Sequence, residues 1–283
     1  MKKKITFSLA IALMVAVSSP TYAKEAEAVE VVTKNLENNT VENEIIPVDE
    51  STTEAEPYIP EECKGTMPYS IISSDERYRI PSSLMGIFPY SATVYIRSYY
   101  ENGDVCRGTG WLFGPNDIAT AGHVLCNEGE LPTSVRCYFG ANGSSLSGVT
   151  YYTATDISVP KGYINNETDS LDYGFISIGT NVGDFRGYYG WTTVCDINNS
   201  AMVLGYPGEH NCELWEGVKS IKKTDAKFIY YDTDTSEGQS GSAVYNTISQ
   251  KVMGIHVQGG DTYNTGIKIT RQISSIMENR KNN

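Results

Sequence analysis

Between about residue 92 and residue 257 the chain is written in apolar runs of four to six residues, separated by Gly, Asn, Asp and Pro. The runs 92–97, 110–113, 174–178, 201–204, 242–245 and 252–257 each read as a short strand. The period changes only at the end, where apolar residues of 271–279 recur every three or four positions. That spacing predicts one C-terminal helix packed on an otherwise all-β body.

The first quarter follows a different pattern. Met1-Lys2-Lys3-Lys4, an apolar run over 5–17 and the small-residue site Thr21-Tyr22-Ala23 have the three parts of a secretory signal peptide spanning 1–23. The apolar run is too short to cross a bilayer, so no membrane association is expected once it is removed. Residues 24–69 then hold twelve acids against three lysines and few large apolar side chains. This composition predicts a disordered or weakly ordered propeptide.

Composition narrows the rest. With 40% hydrophobic residues in 283 the chain can build a sizeable core, and 26 Gly with 20 Tyr favour strands and turns. Residues 70–283 carry 22 acids against 16 bases, which gives no footing for nucleic acid. Nor does such a field steer acidic substrates, so any preference for them has to arise in a pocket.

The candidate chemistry sits in three short stretches. They are Thr120-Ala121-Gly122-His123, Leu171-Asp172-Tyr173-Gly174 and Glu237-Gly238-Gln239-Ser240-Gly241-Ser242. A serine hydroxyl becomes a nucleophile when an imidazole takes its proton and a carboxylate holds that imidazole in one tautomer. His123, Asp172 and Ser240 supply the three groups, in the order found in chymotrypsin-type enzymes rather than in subtilisins or α/β-hydrolases. Asp169 competes with Asp172, and Ser236 and Ser242 compete with Ser240. Gly238 and Gly241 suit a tight turn that would aim the Gly238 and Ser240 amides at an oxyanion.

With Gly110-Trp111-Leu112-Phe113-Gly114-Pro115 and Gly205-Tyr206-Pro207-Gly208, these motifs resemble the bacterial glutamyl endopeptidases from about Ser70 onward. The resemblance implies a chymotrypsin-like double six-stranded β-barrel with a C-terminal helix, the barrels spanning about 70–180 and 181–283. It implies a secreted serine endopeptidase that cuts protein or peptide substrates after Glu, less readily after Asp, without metal or organic cofactor. It places Thr235 and His256 on the substrate carboxylate, and Val257 and Gly259 beside the extended peptide. It also puts the mature start at Ser70-Ile71-Ile72-Ser73, leaving the propeptide 24–69 as a partner of the enzyme. The twelve acids of that propeptide suggest that the enzyme trims its own leader, after residues such as Glu56 or Glu62.

Two residues depart from that pattern. Glu237 stands where the family has a small Gly, placing a carboxylate at the pocket mouth. Ala243 replaces a common Pro. A chymotrypsin-fold protease of another specificity, or a weakly catalytic secreted binding module on the same fold, stays open on this ground. The six cysteines allow fifteen pairings. The resemblance favours Cys106–Cys126, with Cys63 free to tether a cleaved propeptide.

Overall fold

The computed structural model describes residues 27–65 and 77–282. The signal-peptide reading and the proposed cut before Ser70 therefore lie outside the described residues. Four strands precede the first barrel: β1 (Ala28–Asn35), β2 (Thr40–Pro47), β3 (Glu54–Ala55) and β4 (Tyr78–Arg79). The barrel itself comprises β5 (Thr93–Tyr99), β6 (Val105–Leu112), β7 (Asp117–Thr120), β8 (Ser134–Phe139), β9 (Tyr151–Pro160) and β10 (Gly174–Ile178). They bond in the order β10-β7-β6-β5-β8-β9, and an antiparallel β9–β10 pairing closes the ring.

After β11 (Gly190–Thr192) the second barrel uses β12 (Ser200–Gly205), β13 (Trp215–Thr224), β14 (Phe228–Tyr231), β15 (Ala243–Asn246), β16 (Lys251–Gln258) and β17 (Asn264–Lys268). Its order is β15-β12-β13-β14-β17-β16, closed by β15–β16. The fold is thus the chymotrypsin-like pair of six-stranded barrels that the sequence predicts. Within each ring every strand has a neighbouring strand on both sides.

Aromatic side chains bind the halves together. Trp111, Phe113, Tyr189 and Trp191 are all fully buried. Tyr189 meets Trp111 edge-on at 5.7 Å on one side and Tyr245 of the second barrel at 5.5 Å on the other. The Trp191 indole donates to Ser274 Oγ at 2.8 Å, tying in the C-terminal helix Arg271–Lys281. That helix starts at Thr270, whose hydroxyl accepts the Ile273 amide, and it buries Ile273, Ile276 and Met277.

The acidic segment departs from expectation. Far from weakly ordered, residues 27–65 are built into both sheets: β1 pairs with β2 and β9, and β3 pairs with β11. The reason is local alternation, which a charge count averages away. Val29 and Val31 point inward while Glu30 faces out, and Val29, Val31 and Ile46 join the main core. All six cysteines are free thiols in this structure, so neither a Cys106–Cys126 bridge nor a Cys63 tether is shown. Cys63 is instead buried with Sγ 3.3 Å from the Phe185 carbonyl oxygen. Burial pushes the Cys126 thiol up to about 11 and keeps it neutral.

β13 carries a buried acid outside the motifs. Glu216 is buried, and its carboxylate accepts the Tyr90 hydroxyl at 3.2 Å. Burial raises its pKa from 4.5 to about 7, with the Tyr90 bond opposing weakly. A raised acid leaves stability intact below the unfolded value and removes it as pH climbs through the folded one. Glu216→Gln should therefore match the parent at pH 4 and exceed it by about 3 kcal/mol at pH 8. Denaturant melts at the two pH values measure the difference, and equal gaps at both would refute the assignment.

Candidate active site

β7 and β10 run side by side with Gly174 opposite Thr120, so what leaves one strand meets what enters the other. Leaving β7, the chain passes Ala121 into the single helical turn Gly122–Leu125, which carries His123. Entering β10, the 3-10 turn Asp169–Leu171 delivers Asp172. Asp172 then grips His123 twice: Oδ1 accepts the backbone amide at 2.8 Å and Oδ2 meets ring Nδ1 at 2.8 Å. A Cβ on Gly122 would stand only 3.1 Å from Asp172 Oδ1, so glycine permits the approach. Asp169 is used differently, its carbonyl accepting the Asp172 amide at 3.2 Å.

The electrostatics follow from that grip. Burial alone would lower the His123 pKa, but the bond and the charge of Asp172 outweigh it and the net shift is upward from 6.5. Since the Asp172 carboxylate can only accept, Nδ1 holds the ring proton and Nε2 is left as the basic nitrogen.

Ser240 lies on a loop pinned to both barrels. Thr109 of β6 donates its amide to Ser240 O at 2.8 Å and its hydroxyl to Gly238 O at 3.0 Å. On the other side the Gly241 amide donates to His256 O of β16 at 2.7 Å. Gly238 and Gly241 take φ of +92° and +89°. Any Cβ there is excluded twice over, by that backbone and by crowding: it would stand 2.6 Å from Tyr206 O at Gly238 and collide with Thr109 O at Gly241.

The result is a loop whose inner amides are sorted. Gln239 and Ser242 donate within the loop, to Ser236 O at 3.1 Å and Gln239 O at 3.0 Å. The amides of Gly238 and Ser240 donate to no other group among the described residues. Ser240 and His123 line one cavity of about 520 Å³, together with Tyr95, Arg107, Tyr206, Glu209 and Glu237. The two competing serines are committed elsewhere: Ser236 Oγ sits between Glu209 and Arg77, and Ser242 is fully buried.

The four expected pocket residues lie off that cavity, toward β16. His256 is buried with Nδ1 2.7 Å from the Tyr231 hydroxyl. Burial first, and the neighbouring His123 charge second, drop its pKa to about 3. With no carboxylate bound beside it, the ring is therefore neutral near pH 7. Thr235 Oγ1 is buried and has no hydrogen-bond partner among the described residues. A Cβ on Gly259 would come 4.0 Å from that oxygen, so Thr235 and Gly259 face one another. Val257 and Gly259 both fall beyond Ile255, where the β15–β16 ladder ends.

Two residues here escaped the sequence reading. Tyr231 is visible only as one more inward position of β14, and nothing local links it to His256, 25 residues on. Arg77, just before β4, bonds Ser236 Oγ at 2.8 Å and Glu209 at 2.8 Å, steadying the loop that holds Ser240.

The trypsin-like peptidase domain family matches residues 108–255. The chain is 35% identical over 215 residues to a Bacillus subtilis protein named extracellular metalloprotease, covering 73% of this chain and 68% of that one. It is 31% identical over 233 residues to a glutamyl endopeptidase of Bacillus licheniformis, covering 76% and 71%. A solved structure of a Glu endopeptidase superposes with a TM-score of 0.66 at 29% identity, over 76% of this chain and all of the other. The name of the first relative invites a test of the donors. His123 is bonded to Asp172, His256 to Tyr231, and His210 stacks on Trp215 with ring centroids 4.0 Å apart. Among the described residues no three His, Cys, Asp or Glu side chains are grouped to hold a metal ion, so the residues present do not fit a resident catalytic metal.

Proposed function

The chain belongs to the trypsin-like serine peptidases, with glutamyl endopeptidases among its relatives, and from that premise we propose a secreted endopeptidase that cleaves after Glu through Ser240, His123 and Asp172. The observation that carries this reading is the double hold of Asp172 on His123, which lines one cavity together with Ser240. His123 Nε2 takes the Ser240 proton as the hydroxyl oxygen attacks the scissile carbonyl. Asp172 stabilises the imidazolium that forms, and the Gly238 and Ser240 amides receive the oxyanion. The imidazolium then protonates the leaving amine. Water enters and gives a proton to His123 as its oxygen attacks the acyl carbonyl, and His123 then returns that proton to Ser240 Oγ as the carboxylic acid leaves.

Recognition of a substrate carboxylate has to work around a neutral His256. If the Tyr231 hydroxyl donates to Nδ1, the ring proton sits on Nε2 and can be donated to the carboxylate, with the Thr235 hydroxyl as a second donor. These are hydrogen bonds rather than an ion pair, and in a site shielded from water they are strong enough to select. Val257 and Gly259 offer backbone to an extended peptide where β16 lacks its β15 partner.

A second specificity is favoured by one feature: Glu237 is exposed on the rim of the cavity that holds Ser240. Its charge opposes an incoming acidic side chain, weakly because water screens it. Glu237→Gly should raise kcat/KM for a Glu substrate three- to tenfold while leaving a Gln substrate nearly unchanged, about 1 kcal/mol of relieved repulsion. Equal gains on both substrates would place the effect in loop geometry instead.

The proposal is tested by profiling cleavage of a mixed peptide library, with Ser240→Ala protein as the control and with EDTA in a parallel sample. Cuts clustered after Glu, lost in Ser240→Ala and unaffected by EDTA, support it. Cuts after other residues overturn the pocket, and loss of cutting in EDTA overturns the serine mechanism.

A further inference from the structure

The acidic segment does more than accompany the barrels; it completes them. β8 leaves β9 after Thr153, and β1 takes over that side of the strand, pairing Val31–Asn35 with 156–160. The handover is continuous, since the Leu36 amide donates to Thr155 O at 2.8 Å. Without β1 this stretch of β9 would be a bare edge, and Val29, Val31 and Ile46 would leave a gap in the main core.

The second barrel is shaped to the segment as well. β3 closes the outer side of β11, and a Cβ on Gly190 would collide with the Ala55 carbonyl oxygen. At Gly187 the same addition would stand 2.8 Å from Tyr58 O. The largely buried Lys251 ammonium is held by Glu54 at 2.9 Å and Glu56 at 2.6 Å, both from the segment. Taking the segment away would leave that cation without its two carboxylates. Glu56, expected as a trimming site, is thus engaged in the interface. No residue of 27–65 lines the cavity that holds Ser240.

From these contacts we infer that residues 27–65 are a lasting structural subunit, which stays seated on both barrels after the chain is cut before Ser70 and leaves the Ser240 cleft open. The inference rests on the processing expected at that point, not on which residues catalyse. A cut engineered from outside separates the two questions. In Ser240→Ala protein, a recognition sequence for an unrelated site-specific protease is placed between Tyr69 and Ser70, the chain is cut, and the products are run on a sizing column at micromolar concentration without denaturant.

The segment should travel with the barrels, and in the same background Gly190→Ala should weaken its retention at least tenfold on dilution. A segment that elutes alone, while the remainder keeps its circular dichroism spectrum, overturns the inference. So does retention unchanged by Gly190→Ala. If Gly190→Ala does not fold, Glu54→Gln with Glu56→Gln on the segment replaces it, with a several-fold loss of retention expected in low salt and no loss counting against the inference.

Discussion

Ser240→Ala should lower kcat by about five to six orders of magnitude while leaving the melting temperature within a degree or two of the parent. The size follows from what is removed. Without the hydroxyl there is no acyl-enzyme, and His123 can act only on water, with the Gly238 and Ser240 amides still able to bind an oxyanion. A residual rate about a thousandfold above the uncatalysed one is expected from those amides and from binding alone. The fold should tolerate the change because Ser240 is only half-buried and its backbone carbonyl, not its hydroxyl, anchors the loop to Thr109. Reaction with a fluorophosphonate gives a second readout, present in the parent and absent in the variant. A fall of less than a hundredfold would mean that another group is the nucleophile.

How much of this was legible in the chain depends on how local each feature is. The loop around Ser240 could be read because Gly238 and Gly241 combine φ near +90° with surroundings that leave no room for a Cβ, and only glycine meets both conditions. Asp172 could be preferred over Asp169 only through the family resemblance, since their compositional settings are alike; the turn at Asp169–Leu171 separates their roles. Strands with one wet face, such as Trp215–Thr224 with three lysines, gave no apolar run and were missed, although the barrel cannot close without them.

The acidic segment shows the opposite error. Twelve acids dominate any average over 24–69, whereas the fold responds to where Val29, Val31 and Ile46 fall along the strand. Burial of only a few side chains suffices because the neighbouring edge of β9 supplies the backbone partners. Contacts between distant positions, Tyr231 on His256 or Arg77 on Ser236, leave no local trace at all.

Asp172→Asn is expected to cost about four orders of magnitude in kcat, for a reason specific to this geometry. The His123 amide donates to one side-chain oxygen of residue 172 and the ring nitrogen Nδ1 faces the other. In the variant the single amide oxygen has to stay on the backbone N–H, which turns the NH₂ toward Nδ1. Nδ1 must then accept, so the ring proton moves to Nε2, and the nitrogen that should take the serine proton becomes a donor instead of a base. Loss of the carboxylate also removes the two influences that hold the His123 pKa above 6.5, leaving burial to pull it down. The acidic limb of the kcat/KM profile, where His123 sets it, should therefore move to lower pH as the plateau falls. The pH profile is the readout that separates this account from simple loss of structure. A plateau that falls with no movement of the limb would show that Asp172 only positions the ring.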